Sequence, residues 1–332
     1  MTQVAQQPGT GLVGEADLAL HRGELTGYCY RMLGSVHDAE DAVQETMVRA
    51  WRSMGSFEGR SSVRSWLYRI ATNVCLDAIA GRKRRASPLE IGGPSAPVQS
   101  SLGDPRPHEE WLEPLPWRGV APASTDPADQ AEERDSVRLA FVAALQHLPP
   151  RQRAVLILRD VLRFSAQEVA GLLGSTVASA NSALQRARAT LATHHGDPRP
   201  LDPLDEAQQE LLRRYVEAFE SYDIDAFVAL LHEDATQNMP PFALWLQGAR
   251  DLGDWMLGPG IGCKGSTVLR APDANGCPAF AQYKPAAGGG FEPWGIHVLE
   301  VVDGRIAAIT SFLDTRLFAR FGMPERLDAD GR

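Results

Sequence analysis

Apolar positions along this chain first repeat at helical spacing, then lose all period, return to helical spacing, and finally shift toward alternation. Residues 18–34 (LALHRGELTGYCYRMLG) form one predicted amphipathic helix, stopped at Gly34. Over 37–54, Ala42, Val43, Met47, Ala50 and Trp51 make an apolar face. Asp38, Glu40 and Asp41 put acid at the positive end of that helix's dipole. FEGRSS breaks the pattern. A third helix over 63–85 then gathers Trp66, Ile70, Val74 and Ile79 on one side, keeps Arg64, Arg69, Asn73 and Asp77 elsewhere, and ends in Arg82-Lys83-Arg84-Arg85.

Residues 86–130 are rich in Pro, Gly and Ser and hold no period, so they are expected to be a structureless linker, either disordered or functional, whose acidic-aromatic piece at Trp111 and Trp117 could instead pack on another domain. Helical spacing returns after 131. Within 164–191, Val169, Leu172 and Leu173 mark one helix ended by Gly174. Ser179 is the expected cap of a second helix, whose stripe is Ala180, Leu184, Ala187 and Leu191. Its outer face offers Asn181, Ser182, Gln185, Arg186 and Arg188. Small polar groups reach base edges and guanidiniums reach phosphates, so this helix-turn-helix suits a DNA major groove.

A second Pro/Asp-rich linker covers 194–205. Adjacent His194 and His195 share no helical face, and no metal site is expected there. Residues 206–222 and 223–234 read as helices. STVLRAP, PAFAQYK and WGIHVLEVVDGRIAAITSFLD read as strands, with ATQNMP before them, and Asp303-Gly304 marks a hairpin. Helices followed by a curved antiparallel sheet give an α+β cone.

Composition changes this picture little. The 332 residues carry a net charge of −9, yet arginines crowd 31–85 and 134–188, so local basic surfaces coexist with an acidic total. Cys29, Cys75, Cys263 and Cys277 form no C-x-x-C pair and are expected to be reduced thiols. The first residues lack a signal-peptide pattern, and no apolar run is long enough for a bilayer. A cytoplasmic protein with no membrane contact, no metal and no cofactor is expected.

DAEDAVQETMVRAW, followed by F-x-G-x-S-x-x-x-WLYRIATNVCLDAIAGRKRR, closely resembles region 2 of bacterial extracytoplasmic-function (ECF) sigma factors. Residues 134–192 resemble their region 4, and the acidic-aromatic EEWLEPLPW (Trp111, Trp117) resembles a linker motif of the subgroup with a C-terminal extension. Residues 206–323, above all V-x-D-G-R-I-x-x-I-x-x-F-L-D, resemble SnoaL-like domains. The resemblance implies a multidomain chain: two all-α sigma domains (a region 2 helical bundle and a region 4 helix-turn-helix) plus an α+β SnoaL-like cone. The implied boundaries are a tail (1–14), region 2 (15–85), linker (86–130), region 4 (131–193), linker (194–205), SnoaL-like domain (206–323) and tail (324–332).

It also implies a transcription initiation factor with no catalysis, whose partners are core RNA polymerase (β′ clamp helices and β flap) and promoter DNA. Asp41, Gln44, Glu45, Val48 and Trp51 would lie on the polymerase-docking helix. Phe57, Ser61, Ser62 and Arg64 would belong to the loop that captures a flipped −10 base. Trp66, Arg69, Asn73 and Asp77 would read the −10 strand, and Arg82, Lys83, Arg84 and Arg85 would meet phosphates. Ser179, Asn181, Ser182, Gln185, Arg186 and Arg188 would face the −35 element. Asn181 and Ala183 stand where the family often has cations, which shifts weight to Arg186 and Arg188.

The cone implies a ligand pocket between sheet and helices, with Met239, Trp245, Trp255, Tyr283, Trp294, His297 and Asp314 as its candidate lining. His297 and Asp314 are the candidates for a general base. The simpler and preferred reading makes His297 a hydrogen-bonded strand histidine and Asp314 a helix cap. The cone would then regulate the sigma modules in cis. The alternatives are a DNA-tethered SnoaL-like enzyme and a ligand-sensing helix-turn-helix regulator. The latter leaves the match over 15–85 unexplained.

Overall fold

The structure, a computed structural model, describes residues 15–59, 61–117, 132, 134–194 and 205–331. The 1–14 tail, part of the first linker (118–130), His195 and most of the second linker lie outside these residues.

The first expected helix is two: α1 (Glu15–Leu20) and α2 (Arg22–Leu33), which ends at Gly34 in the left-handed conformation. A Cβ at Gly34 would collide with Leu112 at 2.7 Å, so glycine serves both the turn and a close approach. Ser35 caps α3 (Val36–Ser53) by accepting from the Asp38 amide, and Ser62 caps α4 (Val63–Ile79) by accepting from the Ser65 amide. Trp51, assigned above to the apolar face of α3, is instead 58% exposed. It falls in line with Asp41, Gln44 and Val48, while Ala42, Val43, Thr46 and Ala50 fill the bundle core.

The stretch that resembles region 4, called region 4 below, contains α5 (Leu139–Gln146), α6 (Pro150–Leu156), α7 (Ala166–Leu172) and α8 (Val177–His194). Ser165 and Glu168 form a capping box at the start of α7, and Gly174 takes positive φ as expected. The cap of α8 is Thr176, whose hydroxyl accepts from the Ser179 amide. Ser179 already lies inside the first turn, because the helix starts three residues earlier than its stripe suggests.

In the C-terminal domain, α9 (Glu206–Ser221) and α10 (Ile224–Ala229) precede a six-stranded sheet of order β2-β1-β6-β5-β4-β3. Its strands are β1 (Leu231–Asn238), β2 (Trp245–Gln247), β3 (Thr267–Ala274), β4 (Cys277–Pro285), β5 (Phe291–Val302) and β6 (Arg305–Phe312). Helix α11 (Ala249–Leu257) follows β2, and α12 (Leu317–Arg320) follows the sheet. The sheet is antiparallel except where β1 pairs parallel to β6. The expected helix over 223–234 ends at Ala229, and β1 begins at Leu231. Asp303-Gly304 turns the β5–β6 hairpin with both residues at positive φ, and Asn275-Gly276 does the same between β3 and β4.

The sheet is apolar on both faces. On the inner face, Phe280, Leu299, Val301, Ile306 and Ile309 pack against α9, α10 and α11. On the outer face, Ala271, Ala274, Ala279, Ala281, Ile296 and Val298 join one continuous core with the sigma helices and with Leu112 and Leu115 of the linker. Period-two alternation thus separates two cores instead of core from solvent. Alanines on the outer face let the sigma modules come close.

Residues 86–117 correct the expectation of a structureless linker. Their composition forbids long helices, yet Trp111, Leu112 and Leu115 are buried anchors. The segment runs as a strap. It bridges to itself at Ala86 and Trp111 and to the β3–β4 turn at Pro116 and Ala274. Elsewhere the Ser95 amide donates to the Trp245 carbonyl and the Arg106 amide to that of Pro241.

Candidate nucleic-acid and polymerase interface

The proposed −10 residues divide into groups. Phe57, Ser61, Trp66 and Arg69 converge on a cavity of about 560 Å³ beside the α3–α4 loop. The rings of Phe57 and Trp66 lie 4.9 Å apart, and Trp66 is buried. The far wall of this cavity belongs to region 4: Glu168, Gly171 and Leu172 of α7. Ser62 is committed to capping α4. Arg64 does not face the cavity. Its Nε donates to Glu24 at 2.9 Å, and its guanidinium lies over the rings of Tyr68 and of Phe164 from region 4. Asn73 and Asp77 are exposed farther along α4, Asp77 lying 3.6 Å from Arg49.

The basic run after α4 meets carboxylates. Arg82 and Arg85 both reach Asp38, at 2.9 and 2.8 Å, and Lys83 reaches Glu110 at 3.2 Å. Arg84 reaches Glu90 at 3.0 Å. Arg85 also donates to the Trp111 carbonyl and is itself buried. Burial alone would raise the Asp38 carboxyl, but Arg85 and Arg82 bring it below the usual carboxylate range. Glu110 is likewise lowered, by Lys83 and then Arg106.

On α8, Ser179, Asn181, Ser182, Gln185 and Arg186 are exposed, while Ala180, Leu184 and Ala187 are buried. Arg188 holds Asp160 in a bidentate pair at 2.7 and 2.9 Å. On α3, Asp41 and Gln44 are exposed beside Trp51, and Glu45 pairs with Arg49 at 2.7 Å.

The candidate lining of the cone does not form one site. Met239 and Trp255 belong to the inner core, whereas Tyr283 packs on the outer side against Phe318 and donates to the Pro324 carbonyl. Trp294 is exposed under Lys284, and Trp245 touches the strap at the Gly92 carbonyl. His297 is buried between the Tyr215 hydroxyl at Nδ1 (3.0 Å) and Gln282 Oε1 at Nε2 (2.9 Å). Burial lowers its pKa to about 4. Asp314 is held by Arg316 at 2.7 Å and receives the Arg316 amide ahead of α12. Both side chains are accounted for as structural groups.

What the patterning did not reveal is the seam between the modules. Asn275 is fully buried. Its Nδ2 donates to the Tyr30 hydroxyl (2.7 Å) and the Val137 carbonyl (2.6 Å), and its Oδ1 accepts from the Leu115 amide (2.8 Å). One side chain thus ties α2, the strap, the start of region 4 and the β3–β4 turn. Glu113 of the strap accepts from Ser35 and from His37 at the positive end of α3. Buried Arg153 donates to the Met32 and Leu148 carbonyls, and burial lowers its pKa to about 10. An Asn-Gly dipeptide favours a tight turn wherever it occurs. Nothing local reveals that its side chain faces another module.

Among the described residues, no helix is long and apolar enough to cross a membrane.

Residues 18–85 match the sigma-70 region 2 family, residues 138–191 the sigma-70 region 4 family, and residues 212–309 the SnoaL-like domain family. The chain is 47% identical over 313 residues to the ECF RNA polymerase sigma factor SigG of Mycobacterium tuberculosis strain H37Rv, covering 92% of this chain and 83% of that protein. It is 28% identical over 214 residues to the probable ECF RNA polymerase sigma factor SigI of the same strain, covering 64% of each. Its fold matches the crystal structure of the M. tuberculosis ECF sigma factor SigJ with a TM-score of 0.58 at 22% identity, over 93% of this chain and 99% of that one.

Proposed function

Because the chain belongs to the ECF family of RNA polymerase sigma factors, we propose that the arrangement described above is its resting state, in which the −10 cavity and the basic run after α4 are covered by other segments of the chain, while the −35 face of α8 stays exposed. In the active state, the α3 stripe Asp41, Gln44, Glu45, Val48 and Trp51 docks on the β′ clamp helices of core polymerase, and region 4 touches the β flap. The cavity at Phe57, Ser61, Trp66 and Arg69 takes a base flipped from the −10 element. Unstacking a base costs a few kcal/mol, which a fitted pocket recovers. The exposed face of α8 reads the −35 element, and Arg82–Arg85 meet phosphates. The domain boundaries are those expected from the sequence, with 86–117 acting as a strap.

The single observation that carries this reading is the pairing of Lys83 and Arg84 with Glu110 and Glu90 of the strap. Carboxylates stand where phosphates would, and α7 walls the −10 cavity. The SnoaL-like domain acts as a clamp and not as an enzyme, since His297 and Asp314 are already engaged by neighbours. The test is run-off transcription with core polymerase from promoters selected in vitro. Glu90→Gln/Glu110→Gln weakens the strap and raises transcript yield. Unchanged yield and unchanged promoter affinity refute occlusion by the strap.

A further inference from the structure

Helix α8 carries two arginines, Arg186 and Arg188, among small polar and apolar residues. With so few cations, binding by this helix depends on where each one points. Arg186 is exposed. The Arg188 side chain is 60% exposed and yet is held: its Nε donates to Asp160 Oδ2 at 2.9 Å and its Nη2 to Oδ1 at 2.7 Å. Asp160 lies 28 residues back along the chain, in a π-helical turn (Ile157–Val161) that continues α6. In that turn the Leu162 amide reaches back to the Ile157 carbonyl at 2.9 Å. Turns of this kind are rare and recur at functional sites.

A guanidinium presents its N–H groups in a flat, rigid fork, and pairs of parallel N–H groups fit pairs of oxygens. The side-on pair of Arg188, at Nε and Nη2, is taken by Asp160. The end-on pair, at Nη1 and Nη2, points away from that carboxylate. It is the geometry that receives a phosphate.

We propose that Asp160 is a positioning residue for −35 binding, which holds the Arg188 guanidinium side-on so that its end-on edge meets a DNA phosphate. The proposal rests on reading the exposed face of α8 as the −35 face. An unheld arginine samples many rotamers and must be ordered when DNA binds; a carboxylate that orders it beforehand lowers that cost. An exposed pair contributes little to the fold itself, so its effect is sought in binding. The sign is diagnostic. DNA is a polyanion, and a carboxylate near its phosphates repels it, so electrostatics alone predicts tighter binding once Asp160 is removed. Positioning predicts weaker binding.

The test titrates holoenzyme into a labelled duplex carrying a −35 element selected in vitro, over a range of salt. Arg188→Ala is expected to weaken binding about tenfold and to shallow the slope of log affinity against log salt by about one. Asp160→Ala is expected to weaken binding roughly threefold, as the coupling in an exposed pair allows, and Asp160→Asn, which keeps one acceptor oxygen, by less. In the Arg188→Ala background, Asp160→Ala instead recovers part of the affinity, because only a repulsion is then removed. Urea midpoints of the single variants stay near wild type, which separates positioning from folding. Unchanged or tighter binding by Asp160→Ala alone, or equal weakening in both backgrounds, overturns the positioning role. Wild-type affinity and slope in Arg188→Ala overturn the −35 reading of Arg188 itself.

Discussion

Replacing Asn275 with alanine tests whether the modules are held together by the seam described above. Asn275 has φ +54° and is followed by Gly276 at +75°, a turn in which asparagine is tolerated and alanine is not. Forcing alanine into the left-handed region costs about 1 kcal/mol. The side chain's bonds to Tyr30, Val137 and Leu115 are lost as well. Tyr30 keeps the Glu113 carbonyl as its acceptor, but the Leu115 amide loses its partner in a buried place. A stranded buried donor costs about 1–3 kcal/mol, and each remaining bond contributes roughly 0.5–1.5 kcal/mol. The sum is about 3–7 kcal/mol, and it falls on contacts between modules. At about 1.4 kcal/mol per factor of ten, the opened population rises at least a hundredfold. Hydrogen exchange of the strap amides, Leu115 above all, should accelerate by that factor, and affinity for core polymerase should rise. Asn275→Gly keeps the turn and loses only the side-chain bonds, so it should be milder by about 1 kcal/mol. Wild-type exchange rates in Asn275→Ala, or a larger effect from glycine than from alanine, would refute the reasoning.

Trp51→Ala should leave the urea midpoint nearly unchanged, because the ring is 58% exposed, while weakening core polymerase binding about tenfold or more in a fluorescence titration; equal affinity removes Trp51 from the docking face. The pKa of His297 falls from 6.5 in the unfolded chain to about 4 by burial, so the unfolded state alone takes up a proton in that window. Its contribution is fully present above pH 6.5, and about 3 kcal/mol is lost as pH falls to about 4. Urea melts of His297→Gln across that window should lack this loss, and an unchanged slope excludes the histidine as its source. In the activated holoenzyme, replacing any one of Arg82, Lys83 or Arg84 by alanine should shallow the slope of log affinity against log salt by about one; no change places that residue outside the DNA interface.

Much of the fold was legible because its elements are set by neighbours along the chain. Gly34, Gly174 and Asp303-Gly304 stop or turn the backbone wherever they occur, since φ preference is a property of the residue. The stripes on α4 and α8 marked their buried faces for the same local reason. Most errors came where distance in sequence mattered, and one from a local shift of a helix start. Trp51 reads as core from its neighbours, yet among the described residues it stays 58% exposed. Ser179 reads as a cap, yet Thr176 stands closer to the true start. The strap holds no period, so its sequence left open whether the acidic-aromatic piece threads the polymerase or packs on another domain, and Trp111, Leu112 and Leu115 find buried places on other modules.

The sequence by itself determined most helices and turns, because these follow from local periodicity and residue chemistry, and its motifs carried the family resemblance that the relatives bear out. Only the tertiary structure decided that Arg64 faces a seam, that Lys83 and Arg84 face strap carboxylates, and that Asn275 joins four segments. Such contacts lie between residues as many as 245 positions apart, as for Asn275 and Tyr30. Their existence depends on which apolar faces find one another when the chain closes, and no window of local pattern holds that information.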